Sequence, residues 1–312
     1  ILRIAEDITG IARPTATRPE KKSFGQVANY NDLVRVADQW LSEPDEPLEL
    51  VLEDAFEVGD KVAILGQSKA RKTFFSLQLA MSLVSGEDFL GFKVSKPRRV
   101  MIIQLEVNEK HFKRRLRRMK NHFNTQTEHT ANLAIINGRG VEFDWLEILK
   151  QINEFRAEVV IFDPIYKIIE GDENKAEDVK ALLHNFDIIT KRSKAACVYI
   201  HHDAKGYAGD RQATDRGSGS GVLGRDYEAF FVVTRHRDDD ESLVVETVFR
   251  NFKQRDPFVI TFDDNAFYIN EEIACEKLTS SNANQTRRPT TEALIEEAIS
   301  WLHPQLADTT VN

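Results

Sequence analysis

The chain has 312 residues, a charged fraction of 29%, a hydrophobic fraction of 41% and a net charge of −8. Those proportions belong to a soluble globular protein with room for one large α/β domain plus flanking segments, or two small domains. No apolar run reaches the length of a membrane span, and the start does not resemble a signal peptide, so a membrane partner is not expected. Two cysteines, Cys197 and Cys275, give no disulfide framework and point to a reducing, cytoplasmic compartment. The acidic balance means that any nucleic-acid contact must come from local patches or the inner surface of a ring. Because the first residue is Ile1 rather than Met, the chain is expected to be a fragment or a processed product.

In chain order, residues 1–45 read as an arm. Arg13-Pro14-Thr15-Ala16-Thr17-Arg18-Pro19 has linker composition, and a short helix is expected from Asn31 to Leu41, capped by Asn31 or Asp32. Residues 46–275 read as the body. Strands are expected at 61–65, 99–105, 133–136, 158–163 and 196–201, alternating with helices at 72–85, 108–121, 143–155 and 175–192. That alternation predicts an α/β domain with a mainly parallel sheet flanked by helices. After about residue 226, short runs such as Ala229–Thr234, Ser242–Arg250 and Phe258–Phe262 are joined by polar turns and predict a C-terminal antiparallel extension. Residues 276–312 read as a linker leading into the start of a helical segment.

The most informative stretch is Gly66-Gln67-Ser68-Lys69-Ala70-Arg71-Lys72-Thr73, between the apolar strand Val62-Ala63-Ile64-Leu65 and a helix of buried character. It has the form G-x-x-x-x-G-K-[ST] with Arg71 in place of the second glycine. Consecutive backbone N–H groups opening onto a helix N-terminus form a concavity suited to polyphosphate. Lys72 would place its charge on the β- and γ-phosphates, and the Thr73 hydroxyl would join a Mg²⁺ shell. ATP and Mg²⁺ are therefore the expected ligands. Arg71 opens the helix, where its guanidinium could itself contact phosphate; the rival reading is a degenerate loop that binds nucleotide weakly.

Three strand ends carry further chemistry, at the edge where an open α/β sheet places its ligand. Glu106 ends an apolar strand and could deprotonate a water, or it could be a solvated turn residue. Asp163 ends Val159-Val160-Ile161-Phe162, a pattern that organises Mg²⁺ downstream of a phosphate loop. His201 and His202 end a third strand, where one polar side chain could hydrogen-bond the γ-phosphate. A shared metal ion is disfavoured, because adjacent strand residues point to opposite faces.

Together these residues resemble the RecA-like ATPase core, and within it the hexameric replicative helicases of the DnaB and plasmid RepA types. The resemblance covers about residues 50–270. It implies that Lys72 and Thr73 bind phosphate and Mg²⁺, that Glu106 is the catalytic base, that Asp163 is the Walker-B aspartate, and that His201 or His202 is the γ-phosphate sensor. It also implies that Lys253 and Arg255, in a Lys-x-Arg pair, reach into a neighbouring subunit's site within a homo-hexamer or other ring. The Gly/Ser-rich stretch 211–224 would line the channel and touch single-stranded DNA, with Lys205, Arg211, Arg216 and Arg225 supplying charge. A mobile surface loop is the alternative there. The basic helix Lys110 to Lys120 is assigned no site. Rival readings are a RecA-like regulatory or recombination ATPase, a nucleotide-gated scaffold without turnover, and a monomeric nucleotide kinase.

Overall fold

A computed structural model of the chain describes residues 33–123, 125–172, 175–202, 226–263 and 265–280. Its centre is a nine-stranded sheet in the order β11-β10-β9-β8-β3-β7-β6-β4-β5. The strands are β3 (Lys61–Gly66), β4 (Val100–Gln104), β5 (Leu133–Asn137), β6 (Val159–Asp163), β7 (Ala196–His202), β8 (Ala229–Arg235), β9 (Ser242–Phe249), β10 (Phe258–Phe262) and β11 (Phe267–Ile269). A separate antiparallel pair, β1 (Leu50–Leu52) and β2 (Phe56–Glu57), precedes them. The helices are α1 (Ala37–Leu41), α2 (Lys72–Ser85), α3 (Glu109–His122), α4 (Thr127–Thr130), α5 (Trp145–Phe155) and α6 (Ala176–Ser193).

The continuous apolar runs of β3, β4 and β6 are buried at every position, as a sheet covered on both faces requires. Alternate residues feed two cores. Val62, Ile64, Val100, Ile102, Val159, Ile161, Val198 and Ile200 meet α2 and α3 on one face. Ala63, Leu65, Met101, Ile103, Val160, Phe162, Cys197 and Tyr199 meet α5 and α6 on the other. Helix α2 is buried nearly all round, which explains its lack of a polar stripe. It stops at Gly86, whose φ of 77° is left-handed and whose N–H bonds Ser82 O at 2.8 Å.

The expected strands and helices of the body are all present, and the parallel core with a C-terminal antiparallel extension is the observed architecture. Three details differ. Strand β8 lies parallel to β3, so the antiparallel part begins one strand later, with β9. Helix α1 spans only Ala37–Leu41 with Val36 at its N-cap and no buried residue; the expected caps Asn31 and Asp32 lie outside the described residues. The β1–β2 pair was not foreseen, although Val51, Leu52, Ala55 and Phe56 are fully buried. Among the described residues no helix is long and apolar enough to cross a membrane.

Candidate nucleotide site

Strands β3, β4, β6 and β7 end together, and their register decides which side chains meet. Gly66 is opposite His202, and Gln104 is opposite Asp163. Gln104, Asp163 and His202 therefore share the α2 face with the loop that follows β3. Gly66 has a packing reason of its own: a Cβ there would lie 2.7 Å from the backbone oxygen of Val233. The loop runs through Lys69 and Arg71, both left-handed with φ of 66° and 52°, on either side of the buried Ala70. The position that normally holds glycine thus adopts the conformation for which glycine is favoured, with an arginine in it.

Arg71 does not point its guanidinium at the phosphate position. Its Nη2 pairs with Glu241 Oε2 at 2.5 Å, and the group lies over the Phe262 ring, 4.8 Å from the centroid. Lys72 is buried, and its Nζ donates to Gly66 O at 2.7 Å and Gln67 O at 2.8 Å, with His202 Nδ1 at 3.1 Å. An ammonium has no lone pair, so Nδ1 accepts and the proton of a neutral His202 sits on Nε2. Burial, and then the Lys72 charge, hold the His202 pKa below the usual histidine range, which keeps the ring neutral near pH 7. His201 faces the opposite layer; it is 1% exposed, neither ring nitrogen has a hydrogen-bond partner among the described residues, and burial first of all lowers its pKa to about 4. Of the two histidines, only His202 meets the loop.

Asp163 is 4% exposed, and burial pushes its carboxyl up to about 6, against the opposing hydrogen bond from Thr73 and the charge of Lys72. Oxygen ligands around a buried carboxylate and a threonine hydroxyl are the chemistry a hard cation takes. The Asp163–Thr73 pair therefore fits Mg²⁺, which would neutralise the charge that burial penalises. Glu106 is exposed, on the bend after β4. Gln104 shapes that bend: its Oε1 accepts from the N–H groups of Glu106, at 2.7 Å, and of Val107, and its Nε2 donates to Asn137 Oδ1 at 2.9 Å and Val107 O at 2.6 Å. Lys72, Thr73, Glu106, Asp163 and His202 border one cavity of about 420 Å³, lined by Ser68 to Phe74, Glu106, Arg115, Asp163, Pro164, Ile200 and His202. That is the size of a small-ligand site.

Sequence reasoning missed two residues here. Gln104 was legible as a polar end to a buried apolar strand, which must find partners. Arg115 was hidden among the other cations of α3, and only the fold turns it toward the cavity. Lys253 and Arg255 lie on the 250–257 connection between β9 and β10. Because β9 is antiparallel to β8, and Phe249 is opposite Ala229, that connection is at the sheet end away from the chain's own loop. Lys253 is exposed, whereas the Arg255 guanidinium lies over the rings of Phe92 and Phe258, 4.6 and 5.0 Å from their centroids. Lys205, Arg211, Arg216 and Arg225 lie outside the described residues.

Residues 28–208 match the family described as AAA domain (AAA_25), which is more than half of the chain. The chain belongs to that AAA domain family. Among solved structures, the KaiC-like protein PH0186 from the hyperthermophilic archaeon Pyrococcus horikoshii OT3 is similar in fold, with a TM-score of 0.51. The likeness has 15% identity and covers 70% of this chain and 93% of that one. No curated protein matches. The AAA domain chain thus has a RecA-like fold, and its family is one of P-loop ATPases, which bind nucleotide, typically with Mg²⁺.

Proposed function

We propose that this AAA domain protein hydrolyses ATP at the cavity of the β3–α2 loop and uses the energy to move along single-stranded DNA. The convergence of Lys72, Thr73, Glu106, Asp163 and His202 on one cavity carries the reading. The loop N–H groups and Lys72 bind the polyphosphate; Lys72 exchanges its bonds to Gly66 O and Gln67 O for phosphate oxygens. Thr73 and Asp163 would hold Mg²⁺, which would supply neutralisation of the phosphate charge. Glu106, exposed beside the cavity, takes a proton from the attacking water. His202, neutral and protonated on Nε2, donates to the γ-phosphate and registers its loss at the end of β7.

Lys253 and Arg255 serve a neighbouring copy in a homo-hexamer or other ring, stabilising charge on the phosphoryl group; such contacts are worth ~10³–10⁵ in rate in GTPases. Their place at the end of the sheet away from the chain's own loop supports action in trans. The assignment to a replicative helicase of a plasmid, phage or mobile element, working in the cytoplasm, rests on the motif resemblance.

Steady-state hydrolysis with and without single-stranded DNA tests the reading, followed by strand displacement on a forked duplex. Parent activity should rise with DNA. Lys72→Ala should abolish it, and Glu106→Gln should lower it by ~10²–10⁴. Hydrolysis indifferent to DNA would favour a regulatory or recombination ATPase. Nucleotide binding by a fully assembled parent without turnover would leave the scaffold reading.

A further inference from the structure

We infer that Arg115 is a second phosphate-binding residue of the nucleotide site, contacting the terminal phosphate from within the same chain, with Phe74 as its positioning residue. The inference rests on the ATPase reading of the cavity.

Four cations border that cavity, and the structure accounts differently for each. Lys72 is held by loop carbonyls and His202. Arg71 is engaged with Glu241, and Lys69 is exposed on the rim. Arg115 alone lines the cavity half-buried without a hydrogen bond or ion pair among the described residues: its guanidinium stacks on the Phe74 ring at 5.0 Å, and its charge reaches Asp163 across the cavity. The rest of α3 sets the contrast. Phe112 and Met119 are buried in the core, Leu116 packs against it, and the neighbouring Arg114 and Arg117 are exposed. The helical stripe fixes the axial rotation that brings residue 115 to the cavity edge. A planar guanidinium with five free donors at the mouth of a phosphate cradle is matched to a tetrahedral oxyanion, and stacking on an aromatic face pre-orders it at little further entropic cost.

The element that carries Arg115 decides which phosphate it meets. The loop at 66–73 cradles the inner phosphates, while α3 follows directly from the bend that presents Glu106, the residue facing the attacking water. Arg115 therefore approaches from the side of the terminal phosphate, so its contact is present with a triphosphate and absent with a diphosphate. The substituted loop makes the division of labour intelligible. The arginine at the loop position is turned away, and the second positive contact comes from the next helix.

The test is equilibrium binding, with Mg²⁺, of fluorescent ADP and of a fluorescent non-hydrolysable ATP analogue to the full chain. Arg115→Ala should weaken the triphosphate analogue by about 10- to 100-fold, as expected for a charge-assisted hydrogen bond, and ADP by less than about 2-fold. Arg115→Lys should recover part of the loss, and Phe74→Leu, which keeps the apolar contact but not the ring, should weaken the analogue by about 3-fold and leave ADP unchanged. Lys72→Ala should weaken both nucleotides. Equal losses for the two nucleotides, or no loss in Arg115→Ala while the parent binds both, would overturn the role of Arg115 and leave the ATPase reading standing. A folded parent that bound neither nucleotide would overturn both.

Discussion

Asp163 carries the clearest conflict between stability and chemistry at the scale of single residues. Its folded-state pKa of about 6 exceeds the ordinary aspartate value of 3.8, so the ionised form is disfavoured in the folded protein. The sign follows. At pH 7–8, burial of the charge costs up to about 3 kcal/mol, and the cost is relieved as the pH falls through 6 toward 3.8. Asp163→Asn should therefore raise Tm by several degrees at pH 8 without nucleotide, with the gain shrinking to near zero by pH 4, while hydrolysis is lost. Thermal melts across that range check the prediction; a gain independent of pH would refute the electrostatic cause. Much of this was legible, since four apolar residues followed by Asp mark a buried carboxylate. The choice between His201 and His202 was not, because strand alternation separates the pair without saying which face holds the loop; only the pairing of Gly66 with His202 does so.

Elements of the body were readable from periodicity because most exceed ten residues or form unbroken apolar strands. What failed was short or depended on partners. Three- and two-residue strands such as β1 and β2 have too little length to show a period, and the direction of β8 is set by its pairing with β3 rather than by its own residues. Buried polar residues inside helices were equally silent. Gln78, in the middle of α2, donates from Nε2 to Phe267 O at 2.8 Å and accepts from Phe267 N at 2.7 Å. It thus acts as a neighbouring strand would and ties the phosphate-loop helix to the edge strand β11. Gln78→Leu keeps the volume but leaves a buried N–H and a buried C=O unpaired, at a cost of about 2–4 kcal/mol. Chemical denaturation should show that loss, and hydrogen exchange should show faster opening at Phe267 than at Ile64 of the central strand.

Across the whole molecule, the sheet holds the cavity and the Lys253–Arg255 pair at opposite ends. The cavity lies at the carboxyl ends of β3, β4, β6 and β7, while Lys253 and Arg255 lie past the end of β9. A chain altered at both cations (Lys253→Ala with Arg255→Ala) keeps an intact cavity, and Lys72→Ala keeps the intact pair. Each alone should hydrolyse ATP at least ~10³-fold more slowly than the parent. On the proposed action in trans, an equimolar mixture should recover a measurable fraction, because a mixed ring would pair a sound cavity with a sound neighbour. No recovery, with mixed assembly shown by pull-down of a tagged copy, would refute action in trans.

Arg71 bears on how chains of this kind are found. A text pattern demanding glycine before Lys-Thr passes over this protein, although the backbone there has the turn that glycine would make. Written instead as torsions, the signature is two left-handed residues, Lys69 and Arg71, enclosing a buried Ala70 ahead of Lys72 and Thr73. That description tolerates the change of letter, and it would gather phosphate loops whose spelling has drifted while their shape has not.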